Sequence, residues 1–112
     1  MVKPVLNTEL VLEEPQAMGD GGGGYVTVWS PVGTLWANIR SAAARERMQG
    51  GRPISEISHE ITVRGAPVGS PRRPKANCRF RAGQRVFAIR GVAEADARGQ
   101  YLTCWAAEEV YA

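Results

Sequence analysis

Three sets of residues in this chain of 112 residues could support chemistry: one histidine, two cysteines and fourteen lysines and arginines. A metal centre on His59 would lack a second imidazole and rest on carboxylates and thiols alone. Cys78 and Cys104 lie far apart and form no CxxC pair. Their simplest reading is two reduced, buried thiols in an intracellular product, with a disulfide across a sheet left open. Nucleophilic catalysis of the Ser/His/Asp kind would need His59, and no G-x-S-x-G elbow is present. The carboxylates fall mainly in the outer segments, which gives no acid–base pair. The run Gly21–Gly24 lacks the Lys-Ser/Thr of a phosphate loop and leads into a strand pattern, not a helix. These residues point away from an enzyme, a metal site or a cofactor. His59, on an apolar strand face, reads as a hydrogen-bonded core or subunit-contact residue.

The cations carry more. Residues 61–90 hold Arg64, Arg72, Arg73, Lys75, Arg79, Arg81, Arg85 and Arg90 with no acid, a balance of +8 inside a chain of net +3. Residues 1–20 set Lys3 against Glu9, Glu13, Glu14 and Asp20, and residues 91–112 are likewise net −3. Such sorting suits contact with a polyanion or with charge-complementary copies of the chain. Pro71-Arg72-Arg73-Pro74 fits a polyproline ligand, a solvated loop, or a basic finger that meets phosphates without sequence selection. Trp29 and Trp36 are candidates for the core or for anchoring subunit contacts.

The elements that must position these residues follow from period-two patterning. Strands are expected at Thr8–Glu14, Tyr25–Ser30, Thr34–Arg40, Ile54–Arg64, Cys78–Arg81, Gln84–Val92 and Tyr101–Ala107. Pro15–Gly24 should break regular structure, making residues 1–24 an arm with a Gly-rich tether. Residues 25–112 then form the domain, with inserted segments at 41–53 and 65–76. Ser41 can cap a short Ala-rich helix over Ala42–Met48 that Gly50-Gly51 would end. A turn at Ala82-Gly83 would set residue 80 opposite 85 and put Cys78, Phe80, Phe87 and Ile89 on one face. The fold class is therefore mainly β: a small antiparallel barrel or sandwich of six to seven short strands, one short helix and long loops. No apolar run approaches the roughly 18 residues of a membrane span, and residues 1–7 contain no signal-peptide stretch.

The order of certain segments carries a resemblance. Trp36-Ala37-Asn38-Ile39 is followed by Arg45-Glu46 and by Ser58-His59-Glu60-Ile61-Thr62-Val63-Arg64. Arg85-Val86-Phe87-Ala88-Ile89-Arg90-Gly91-Val92, an acidic turn with Asp96, and Tyr101-Leu102-Thr103-Cys104 complete the series. Over residues 25–109 this resembles the head–tail joining proteins, also called head-completion or stopper proteins, of long-tailed bacteriophages and gene transfer agents. The sequence departs from that pattern where Gly65 replaces the usual aromatic after Arg64, and in its Pro-rich loop.

The resemblance implies a β-barrel structural protein in the virion neck, assembled in the bacterial cytoplasm as a ring. Six copies are favoured, with twelve the alternative. The ring would sit between a portal-adaptor ring and the tail terminator or tail tube. It would close the portal channel after DNA packaging and offer the tail a docking platform, with no cofactor and no membrane. Segment 41–53 matches the part that such stoppers project into the channel. Arg45, Arg47 and Arg52 are therefore candidates to face DNA, joined by Arg72, Arg73 and Lys75 of the Pro-rich loop. Leu10, Leu12, Glu13 and Glu14 of the arm, with Trp29, Trp36 and His59, are candidates for contacts between subunits or rings. The alternatives are another connector component, either adaptor or tail terminator, and a nucleic-acid-binding β-barrel.

Overall fold

Alternating apolar and polar residues build six strands in the computed structural model, which describes residues 3–111. They are β1 (Thr8–Gly19), β2 (Tyr25–Gln49), β3 (Arg52–Arg64), β4 (Arg79–Ala82), β5 (Arg85–Glu94) and β6 (Tyr101–Tyr111). All pairings are antiparallel, and the sheet closes as a barrel in the order β1-β2-β3-β6-β5-β4. Inside it pack Leu10, Leu12, Ala37, Ile61, Val63, Phe80, Phe87, Ile89, Leu102 and Cys104. Closure leaves the barrel without a continuous free edge.

The expected helix over Ala42–Met48 is absent; among the described residues there is no helix. That segment is the distal half of β2, paired with β3 from Ala43↔Ser58 to Gln49↔Arg52. The physical reason lies in Gly50 and Gly51, whose φ values of 58° and 78° make a two-residue hairpin turn. A single short helix would be marginal in water, whereas the turn delivers the segment directly to a partner strand.

Residues 15–24 also differ from expectation. β1 runs through Pro15 to Gly19 and pairs with β2 down to Gly19↔Tyr25, so only Asp20–Gly24 forms the connection. Thr8–Glu14 belongs to the barrel wall, with Leu10 and Leu12 in its core. The two strands expected around Pro31-Val32-Gly33 are one 25-residue strand. Its irregularity is a bulge: Leu12 faces Gly33 and Glu13 faces Pro31, leaving Val32 unpaired between them.

In the β4–β5 hairpin Phe80 faces Phe87 and Ala82 faces Arg85, so the turn is Gly83-Gln84. The register differs by two from the expected one. An even shift preserves the faces, and Phe80, Phe87 and Ile89 do share the interior.

Two hairpins extend past the barrel. The radius of gyration is 15.4 Å, above the roughly 13 Å of a compact chain this long, and the principal extents are 49 × 32 × 22 Å.

Candidate functional site

The β2–β3 hairpin places the arginines of segment 41–53. Beyond a bulge between Ser41 and Ala43 the pair runs on past the end of the β5–β6 pairing, with β6 still bound to β3 as far as Ile54↔Tyr111. Past the bulge Arg45 faces Glu56, Arg47 faces Ile54 and Gln49 faces Arg52. Residues paired directly across antiparallel strands share a face, as do every second residue along one strand. Arg45, Arg47 and Arg52 therefore lie on one side of the hairpin. Arg47 is matched within the chain: its Nη2 donates to Glu109 Oε1 at 2.8 Å, and its Nε lies 3.3 Å from Glu56 Oε2. Arg45 and Arg52 are exposed.

At the hairpin's base is a buried polar cluster. His59 is 3% exposed, and its Nε2 lies 2.9 Å from Glu108 Oε1. A carboxylate can only accept, so Nε2 is the ring nitrogen that donates. Ser41 Oγ is 3.2 Å from Nδ1, beside the bulge, and Phe87 meets the ring edge-on at 5.2 Å. Arg85 completes the cluster by donating to both oxygens of Glu108 at 2.7 and 2.9 Å. These bonds from Arg85 hold the Glu108 carboxyl below its ordinary value, against the opposing effect of burial and with help from His59. The cluster ties β2, β3, β5 and β6 together where the hairpin begins. Its serine sits on Nδ1 and its carboxylate is clasped by an arginine, an arrangement suited to a clamp.

The Pro-rich loop has a mixed role. Arg73 Nη1 donates to the Ala66 carbonyl at 2.9 Å, so this residue braces the loop, and Pro74 is buried beneath it. Arg72 and Lys75 are exposed. Gly65 opens the loop where any Cβ would lie 2.2 Å from the Gly99 carbonyl oxygen, which explains why no aromatic follows Arg64 here. Cys78 and Cys104 are free and buried, and burial pushes the Cys104 thiol up to about 12. Among the described residues no group of three His, Cys, Asp or Glu could hold a metal ion.

The candidates for contacts divide. Leu10 and Leu12 are wholly buried in their own barrel and cannot reach a neighbour. Glu13, also buried, accepts from Arg79 Nε at 2.8 Å and Arg81 Nε at 2.9 Å. Burial raises its carboxyl, but the bonds from Arg81 and Arg79 outweigh this and hold it below the ordinary value. Glu14 is half-buried. Trp29 lies under Arg79, whose guanidinium carbon is 4.2 Å from the ring centroid. His59 belongs to the clamp. Trp36 alone is widely exposed, at 54%.

Pairing Arg79, Arg81 and Arg85 with Glu13 and Glu108 matches three of the eight cations in residues 61–90 with acids of the same chain. Sequence reasoning missed these partners because the acids lie 66, 68 and 23 residues away along the chain. It also missed an exposed apolar ribbon bearing Met18, Tyr25, Val26 and Val28.

A family model described as phage head completion protein matches residues 1–109. No curated protein matches the chain. Among solved structures it is similar to a chain in the virion of a native gene transfer agent particle. The identity is 44% and the TM-score 0.88, covering 98% of this chain and 100% of the other.

Proposed function

The chain belongs to the phage head completion protein family, and from that premise we propose that it forms the stopper ring of the neck. It is a structural protein of the virion's head–tail region and associates there with other head and tail proteins. In the finer reading, copies assemble below the portal and its adaptor, six of them favoured to match the tail. They shut the channel after DNA packaging and give the tail its docking surface.

The observation that carries this reading is the β2–β3 hairpin. It extends beyond the barrel with Arg45, Arg47 and Arg52 on one side, and the His59–Glu108–Arg85 clamp secures its root. Rotational symmetry turns one arginine per chain into a collar of positive charge. Such a collar holds DNA phosphates without reading sequence. The projecting end of the sheet, bulged at Ser41–Ala43 and backed by β6 as far as Ile54↔Tyr111, can shift as neighbours dock, which supplies a gate. Arg72 and Lys75 form a second, separate basic point for the same polyanion.

Deleting the gene tests the reading. The expected product is DNA-filled heads that lack tails and lose their DNA. Normally tailed particles that retain DNA would sink it, and tailed particles of abnormal tail length would favour a tail terminator.

A further inference from the structure

The hairpin joining β1 to β2 has no part in the gate and has the construction of a surface that another molecule covers. β2 meets β3 only from Ala37 onward, and β1 meets β4 only at Val11–Glu13. Glu14–Gly19 and Tyr25–Ser30 are therefore a two-stranded ribbon with both outer edges open. Two strands alone are marginal in water. Register places Met18, Val26 and Val28 on one face and Tyr25 and Trp29 on the other. Tyr25 is 77% exposed. Exposed edges are commonly guarded by lysines, yet no Lys or Arg occurs between Pro4 and Ile39. The ribbon tip is acidic: the Asp20 carboxylate accepts from the Gly22 and Gly24 amides at 2.8 and 3.0 Å.

A surface of opposite character lies at the other end of the same strand pair. Leu6, Thr34, Leu35 and Trp36 line an open cleft of about 550 Å³ with Arg64 and Arg72. Thr34 and Trp36 face Val11 and Glu9, so the run of β1 from there to Gly19 separates cleft from tip by roughly 30 Å at strand rise, and one chain cannot fill its own cleft.

We propose that the ribbon tip of one copy seats in the Trp36 cleft of the next copy, with Tyr25 as the apolar anchor and Asp20 meeting Arg64 and Arg72. The occupant is a second copy because this chain supplies both halves of the match. Its ribbon offers apolar side chains with acid and no cation, and its cleft offers apolar walls with two arginines. Tip and cleft lie at opposite ends, so the contact is head-to-tail, the kind that closes into a ring when the rotation allows. Aromatic and arginine side chains dominate such contacts. The inference rests on the ring reading above and names the surfaces that would make it.

Paired cysteines in assembled particles test it. Particles are produced in which Tyr25→Cys and Thr34→Cys share one chain, both at exposed positions, and are then mildly oxidised. The expected result is a non-reducing ladder of dimer, trimer and higher species up to the full ring, while each single variant stays monomeric. A chain present in the particles but giving only monomer overturns the contact and leaves the neck assignment standing. So does a ladder that stops at dimer with Tyr25→Cys alone, or cross-linking to a different virion protein. Absence of the chain from purified particles overturns the neck assignment, and this inference with it.

Discussion

Glu108 is the residue on which the clamp's hydrogen bonds depend, since it bonds both His59 and Arg85. Glu108→Ala should cost about 2–3 kcal/mol, below the ~3–5 typical of a fully buried pair because Arg85 is largely solvated. Denaturant unfolding of the variant checks this. The same residue, with Glu13, sets the acid limit. Both carboxyls are held below 4.5, their ordinary value, so the stability they supply is complete above that pH. It is lost as pH falls through their folded values. The unfolding midpoint should therefore be steady near neutrality and drop below about pH 4.5, and the drop should be shallower in Glu108→Gln; equal slopes would contradict the assignment. Gly65→Ala should cost on the order of 1–3 kcal/mol, because the backbone of Gly99 must yield to the new methyl. At this scale the sequence was only partly legible. Buried positions such as Phe80 and Ile61 followed from alternation, and His59 was recognisable as a hydrogen-bonded residue. Its partners were not, because Glu108 and Arg85 reach it through strand pairings that no local spacing encodes.

The β2–β3 hairpin shows why an element can be misread while its neighbours are clear. Ala42-Ala43-Ala44-Arg45-Glu46-Arg47-Met48 has strong helix formers and no alternation, so propensity favours helix. Pairing overrides it: β3 alternates cleanly on one side, and Gly50-Gly51 is a hairpin turn as readily as a helix stop. Pro15 and Pro31 similarly suggested breaks, yet Pro15 lies in β1 beyond its pairing with β4 and Pro31 in β2 before its pairing with β3, where the outer edge demands no amide donor. Replacing Gly50 and Gly51 together by alanine should loosen the tip and leave the barrel intact, since both positions need positive φ. Hydrogen exchange reads this directly. Amides of residues 44–53 should exchange at least about tenfold faster than in the parent, with those of Ile61, Val63 and Leu102 unchanged. Uniform acceleration would mean that the hairpin and barrel open as one unit.

For the whole molecule, charge placement decides what the assembly can do. A net +3 per chain is modest, and three arginines of the basic stretch are matched internally. Exposed cations remain on the β2–β3 hairpin and the Pro-rich loop, and also at Arg64, Arg90 and Arg98. Six copies would gather the hairpin arginines around one axis, so the hold on DNA should weaken as salt rises. The central claim is that this hairpin, and not the barrel, retains the packaged DNA. The direct test replaces residues 46–55 by Gly-Gly, which joins Arg45 and Glu56 in their existing register and keeps every remaining β2–β3 facing, at the loss of Ile54↔Tyr111 and Ser55↔Val110. The measurement is nuclease-protected DNA per purified particle, alongside the copy number of the chain. The account predicts particles that incorporate the shortened chain at the parental level but lose most of their DNA, the more so at high salt. Parental DNA content with the shortened chain fully incorporated would contradict it.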